Sequence, residues 1–140
     1  MAYGPRMARG RGYPTSTKFY QVEPLLMVHD VQQAAEYYRD KLGFNIDFVY
    51  GEPADHAGVS RGEWSGKMAT IQLTRVPAER PLDHAGYLYI MVDSRLDPLY
   101  QQYKANGVQI EREPTSYPWG MREFVIRDIN NHRLIFATHA

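Results

Sequence analysis

Cysteine is absent from all 140 residues, which excludes disulfides, thiolate metal ligands and a cysteine nucleophile. No apolar run approaches the roughly 20 residues that a membrane-spanning helix needs, so we expect no membrane contact. The first residues also lack the apolar segment of about 7–15 residues that a secretory signal carries. Together these absences predict a cytoplasmic protein.

Net charge is absent as well, since 16 basic and 16 acidic side chains cancel, but the charges are unevenly placed. Residues 1–18 hold four basic side chains and no acidic one, among several glycines and prolines. We expect this segment to be a disordered basic tail, which either contacts nucleic acid or has no binding role. Residues 19–140 then carry a net charge of −4, which disfavours nucleic acid and slightly favours a cationic ligand.

Catalytic and metal-binding motifs are also missing. None of the five histidines pairs with another at the helical i, i+4 spacing or in an alternating strand frame. The serines lack the G-x-S-x-G context of a hydrolase nucleophile. We therefore predict no catalytic residue and no metal site built from protein side chains. The histidines are assigned to a helix entry, two polar loops, a turn and the terminus: His29, His56, His84, His132 and His139.

The most informative stretch is residues 117–136, YPWGMREFVIRDINNHRLIF. Polar and apolar residues alternate from Arg122 to Asp128, which is typical of a half-buried strand. The DINN segment supplies a turn, because Asn tolerates positive φ and Asp bonds its own backbone. Apolar character resumes at Leu134 as a second strand. Trp119 beside Gly120 either closes the core or forms one wall of a ligand cleft.

The other elements follow from hydrophobic periodicity and turn residues. Asp30 is predicted to cap the first helix with Gln33 in a capping box, and Gly43 to end it in a left-handed conformation. The rest are predicted as strands at 19–28, 45–50, 58–63 and 67–76, a loop at 51–56, a turn at 64–66, a linker at 77–83, a strand at 86–93, a helix at 94–105 and strands at 108–112, 122–128 and 134–137.

This plan occurs twice. A constant offset of 64 residues relates a strand residue, a helix-ending glycine and a second strand residue in the two halves: Val28 and Val92, Gly43 and Gly107, Ile46 and Ile110. The offset indicates a duplicated β-α-β-β-β unit. We predict one α+β domain over residues 19–140, with repeat halves at about 19–77 and 85–139. The two paired units are expected to enclose a cleft, since a concave sheet surface is where small ligands bind.

The pattern LLMVHDVQQAAEYYRDKLGFNIDFV, the duplication and PWGMREFVIRDINNHRLIF resemble the glyoxalase/bleomycin-resistance/extradiol-dioxygenase group, also called the vicinal oxygen chelate superfamily. The resemblance covers about residues 20–138 and implies the vicinal oxygen chelate fold. Its enzymes hold a divalent metal at four strand positions, usually with His or Glu. Among the residues that occupy these four positions in this sequence, only Glu23 is a suitable metal ligand. We therefore expect neither a metal nor a cofactor. The four positions carry Glu23, Gln72, Tyr87 and Ile135.

Within the group, the likeness is closest to bleomycin-resistance proteins, through LGFNIDFV and PWGMREFVIRD. Drug-binding members of this kind hold flat ligand rings between aromatic side chains across a dimer crevice. The resemblance implies stacking by Phe48, Tyr89 and Trp119, although each aromatic has core packing as an alternative role. The complete set of expected ligand-binding residues is Glu23, Asp47, Phe48, Gln72, Tyr87, Tyr89 and Trp119.

The function so implied is metal-free sequestration of a small aromatic antibiotic-like ligand by a homodimer. One alternative is a lyase, isomerase or dioxygenase of the same superfamily that acts on a small oxygenated substrate. Such an enzyme requires a metal or acid–base work by Glu23. Another alternative is a regulatory or scaffold module without a ligand.

Overall fold

A computed structural model describes Gly10 and residues 17–63, 68–82 and 86–140. The first half contains β1 (Leu25–Val28), α1 (Val31–Asp40), β2 (Asn45–Tyr50), β3 (His56–Gly62) and β4 (Met68–Arg75). The second half contains β5 (Tyr87–Met91), α2 (Leu96–Ala105), β6 (Gln109–Ser116), β7 (Met121–Arg127) and β8 (Arg133–His139). The predicted α+β fold of two β-α-β-β-β units is confirmed.

Each half forms one four-stranded mixed sheet, and both sheets have the same pairing plan. The strand orders are β1-β4-β3-β2 and β5-β8-β7-β6. In each sheet the first strand of the half pairs in parallel with the last, and the other pairs are antiparallel. This repetition agrees with the duplication predicted from the 64-residue offset. No helix in the described part of the chain is long and apolar enough to cross a membrane.

Helix α1 begins and ends where the sequence predicts. The Asp30 side chain accepts a hydrogen bond from the backbone N–H of Gln33 at 3.0 Å, which satisfies one of the free donors of the first turn. Gly43 has a φ of 76°, a left-handed conformation that costs glycine little. The apolar positions of the helix are buried at a helical spacing: Val31, Ala34, Ala35 and Tyr38.

Several predicted boundaries differ from the structure, and two predicted segments lie largely or wholly outside the described residues. Strand β3 already begins at His56, which was predicted in a loop, because His56 pairs with Tyr50 on β2 and with Thr74 on β4. Strand β6 continues through Pro114 instead of ending before it. A proline is tolerated there because β6 is an edge strand, which has one unpaired side. Most of the predicted basic tail and the predicted turn at 64–66 lie outside the described residues.

The inward faces of both sheets and the buried faces of both helices belong to one hydrophobic core. Its aromatic part links α2 to β7 and β8. The rings of Phe124 and Phe136 stack with centroids 5.2 Å apart, and Tyr103 meets Phe136 edge-on at 5.4 Å. Because residues from both halves share this core, neither sheet buries its inward face alone.

Buried tyrosine hydroxyls also join the two halves. The hydroxyl of Tyr38 on α1 donates to Oδ2 of Asp128, after β7, at 2.7 Å. The hydroxyl of Tyr103 on α2 donates to the carbonyl of Leu42 at 2.7 Å. A buried polar group without a partner is costly, so each bond keeps the halves in register.

Asp128 uses both carboxylate oxygens in this junction. Its Oδ1 accepts from the backbone N–H groups of Asn130 at 2.8 Å and His132 at 2.9 Å, which closes the β7–β8 turn. Burial, followed by the negative charge of Asp128, raises the pKa of Tyr38 well above its ordinary value. The tyrosine therefore remains a proton donor to the carboxylate at neutral pH.

We predict that Tyr38→Phe lowers the free energy of unfolding by about 1–3 kcal/mol, because it leaves one Asp128 oxygen without its buried donor. Urea unfolding followed by circular dichroism measures this change. Tyr37→Phe is the matched control, since the Tyr37 hydroxyl makes no hydrogen bond to the described residues and its loss is expected to cost less than about 0.5 kcal/mol. Equal effects of the two substitutions would contradict the role given to the Tyr38 hydroxyl.

Candidate functional site

Each sheet has a second face, which points away from the shared core. Strand β5 shows this most simply, since Leu88 and Ile90 pack against the core while Tyr87 and Tyr89 are 47% and 49% exposed. The alternation follows from the period of two in a strand. Large apolar side chains that remain on an outward face mark surfaces for ligands or partners.

We call the outward face of the first sheet the first face. The aromatic ring of Phe48 lies on it. Phe48 pairs with Gly58 on β3, and Gly58 pairs with Gln72 on β4. A Cβ on Gly58 would come within 2.5 Å of Cε1 of Phe48, so the glycine lets the ring lie against the sheet. The ring also stacks on His56 with centroids 5.8 Å apart and an angle of 16°, yet Phe48 stays 46% exposed.

A chain of three polar side chains crosses the first face. Nε2 of Gln72 donates to Oε1 of Glu23 at 3.1 Å, so its carbonyl oxygen points towards His56, 2.6 Å from Nε2 of that ring. An amide oxygen only accepts, and we therefore assign the proton of this bond to Nε2 of His56. The structure brings the predicted residues Glu23 and Gln72 together.

His56 is the member of this chain that sequence reasoning missed as a site residue. The period-two spacing of His56, Gly58 and Ser60 is the signal that would have placed it on a strand. Asp47 lies at the edge of the same face, where its Oδ1 accepts from the hydroxyl of Ser60 at 2.9 Å. The first face thus combines the exposed ring of Phe48 with carboxylates that accept from neutral donors.

We call the outward face of the second sheet the second face. Tyr87 and Tyr89 lie on it. The Tyr89 hydroxyl donates to Oε2 of Glu123 on β7 at 2.5 Å. This bond, and then desolvation, raise the pKa of Tyr89 to about 12, so the hydroxyl keeps its proton at neutral pH. Glu123 is a buried carboxylate that was not among the predicted site residues, although its alternation with Val125 placed it on this side of β7.

Trp119 lies in the turn between β6 and β7 and is 66% exposed, so it does not pack in the core. Its ring stacks on Tyr117 with centroids 4.6 Å apart and an angle of 10°. Nη1 of Arg112 donates to the Tyr117 hydroxyl at 2.6 Å, which fixes the position of the Tyr117 ring. Gly120, at a φ of 90°, allows the chain to turn directly after the tryptophan.

The first and second faces belong to different sheets. The four positions that hold a metal in enzymes of the resembling group are divided between them, with Glu23 and Gln72 on the first face and Tyr87 and Ile135 on the second. Ile135 has no donor atom. The described residues contain no group of three or more His, Cys, Asp or Glu side chains placed to hold a metal ion. This donor set does not fit a divalent cation.

Solved structures with the same fold cover most of the chain. The bleomycin-binding protein from bleomycin-producing Streptomyces verticillus, complexed with copper(II)-bleomycin, is 26% identical with a TM-score of 0.68, over 89% of this chain and 98% of that one. The bleomycin resistance determinant encoded on the transposon Tn5 is 22% identical with a TM-score of 0.70, over 86% and 98%.

A glyoxalase-related enzyme from Clostridium phytofermentans is 19% identical with a TM-score of 0.71, over 89% of this chain and 98% of that one. No curated protein matches the chain. The family model of the Glyoxalase/Bleomycin resistance protein/Dioxygenase superfamily matches residues 14–136. The chain therefore belongs to the Glyoxalase/Bleomycin resistance protein/Dioxygenase superfamily.

Proposed function

We propose that this protein binds a small aromatic, antibiotic-like ligand without making or breaking a bond, and so sequesters it. The observation that carries the proposal is the exposure of Phe48 on the first face, of Tyr87 and Tyr89 on the second face, and of Trp119 in the β6–β7 turn. The core needs none of these rings. Each stacked aromatic pair contributes about 0.5–1.5 kcal/mol beyond the area that it buries.

The ligand site is proposed to form between two copies of the chain. Because the two faces belong to different sheets, a single chain offers two separate half-sites. A twofold pairing that sets the first face of one chain against the second face of its partner produces two equivalent crevices. Each crevice then has Phe48 on one wall and Tyr89 and Trp119 on the other.

Charge recognition is assigned to the carboxylates on these faces. Glu23, Asp47 and Glu123 accept from an amide or a hydroxyl, and no ion pair compensates them among the described residues. Carboxylates without an ion-pair partner attract cations. The 26% identity to a bleomycin-binding protein supports a ligand of this general kind.

An enzyme of the same superfamily is the second candidate function. The observation in its favour is the chain from Glu23 through Gln72 to His56, since an imidazole oriented by an anion is a common general acid or base. Such an enzyme would act on a small oxygenated substrate held over Phe48.

We predict that Trp119→Ala weakens binding of bleomycin, copper-free or copper-loaded, by about tenfold or more, because about 1.4 kcal/mol corresponds to tenfold in affinity and a stacking surface is lost. The melting temperature should stay nearly unchanged, since the ring is exposed. Isothermal titration calorimetry and thermal denaturation measure the two effects. Ile129→Ala, at an exposed apolar position of the β7–β8 turn, is the control. A large drop in melting temperature with unchanged affinity would sink this assignment.

Mixing two defective variants tests whether the crevice is shared between chains. A Phe48→Ala chain and a Trp119→Ala chain each form homodimers with two damaged crevices. Their heterodimer contains one crevice with both lesions and one with neither, so unfolding and refolding the mixture should restore tight binding to about half of the heterodimer sites. Without restoration, both walls would have to come from one chain.

Sequestration also predicts that the ligand leaves unchanged. Protein purified without chelators should carry less than stoichiometric divalent metal, and bleomycin recovered after long incubation should keep its mass. Elemental analysis and mass spectrometry measure these outcomes, with a His56→Gln variant as the comparison. Stoichiometric metal, or a ligand change that His56→Gln abolishes, would favour the enzyme instead.

A further inference from the structure

Two arginines stand directly opposite each other at the end of the second face. Arg127 on β7 pairs with Arg133 on β8, and like charges in directly opposed positions repel. One carboxylate lies against both. Oε1 of Glu111 is 2.8 Å from Nη2 of Arg127 and 3.0 Å from Nε of Arg133. The three side chains together keep a charge of one positive unit.

These charges are only partly screened by water. The side chains of Arg127 and Arg133 are 26% and 28% exposed, and that of Glu111 is 26% exposed. A guanidinium has five N–H donors and no acceptor, and Glu111 meets Nε and Nη2 of Arg127 but only Nε of Arg133. Neither terminal nitrogen of Arg133 donates a hydrogen bond to a carboxylate in the described part of the chain.

An open pocket of about 580 Å³ adjoins this pair. Its wall combines the two guanidiniums with side chains of the β7–β8 turn and apolar residues of the segment before β5. The lining includes Arg127, Arg133, Asn130, Asn131, Pro81 and Leu82. The nearby carboxylate of Asp128 is turned inward, since it accepts from Tyr38 and from backbone N–H groups.

An aromatic ring lies beside the same cations. The guanidinium carbon of Arg133 is 5.4 Å from the centroid of the Tyr87 ring, and Tyr87 is itself about half exposed. A planar group that enters next to Arg133 can therefore stack on Tyr87 while a charged substituent meets the arginines.

We propose that this pocket binds the oxyanion of a small molecule, with phosphate as the reference group and an aromatic ring as its carrier. Guanidinium groups present paired N–H donors that match phosphate and carboxylate oxygens. The bound anion supplies the second negative charge, since Glu111 alone neutralises only one of the two arginines. This site is separate from the carboxylates proposed to attract a cationic ligand, and it does not depend on the sequestration of an antibiotic.

The full chain is tested by thermal denaturation in sodium phosphate and in sodium chloride at equal ionic strength, so that general screening is the same in both. The melting temperature should be higher in phosphate. Glu111→Gln should lower the melting temperature in chloride, because the opposed arginines lose their shared carboxylate. The same substitution should enlarge the increase in melting temperature from chloride to phosphate. A gain in Glu111→Gln that is no larger than in the unaltered chain would overturn the proposal.

Isothermal titration calorimetry then distinguishes a free phosphate ion from a phosphate attached to an aromatic ring. Phenyl phosphate should bind severalfold more tightly than inorganic phosphate, and phenol should not bind. Arg133→Gln and Arg127→Gln should each remove binding, whereas Arg95→Gln, at an exposed arginine paired with Asp93, should leave it intact. Equal affinity for both phosphates would overturn the role of Tyr87, and equal losses in all three arginine variants would overturn the site.

Discussion

Each helix covers only one face of its four-stranded sheet, and this constraint determines which sheet faces stay accessible to a ligand. Both helices and both inward sheet faces are used up in the single core. The outward faces are consequently left open to the side chains of β2, β3, β5 and β7. Phe48 and Tyr89 remain exposed for this reason, and they lie on different sheets.

The duplication explains why the two faces differ in chemistry while the scaffold stays the same. Both halves need the same pairing plan and the same buried apolar positions, so these are fixed by packing. The outward positions carry no such demand. The first face accordingly holds a polar chain from Glu23 to His56, and the second face holds tyrosines, so the two faces offer different chemistry to a ligand.

Sequence reasoning located every helix and strand because each depends on local signals. Asp30 and Gly43 mark the ends of α1 through their own backbone preferences, and alternation marks β7. It missed His56 and Glu123 as site residues because their partners are distant, Gln72 being 16 and Tyr89 34 residues away. It also could not assign the predicted residues to two separate sheet faces, since this depends on which face of each sheet the helix covers.

The acidic groups of the two faces are held in place by neutral donors. Glu23, Asp47 and Glu123 each accept a hydrogen bond from an amide or a hydroxyl, which fixes the orientation of each carboxylate. None of the three has an ion-pair partner among the described residues, so no cationic side chain there competes with a ligand for them. An oriented carboxylate near an aromatic ring is the arrangement that the proposed binding of a flat cationic ligand requires.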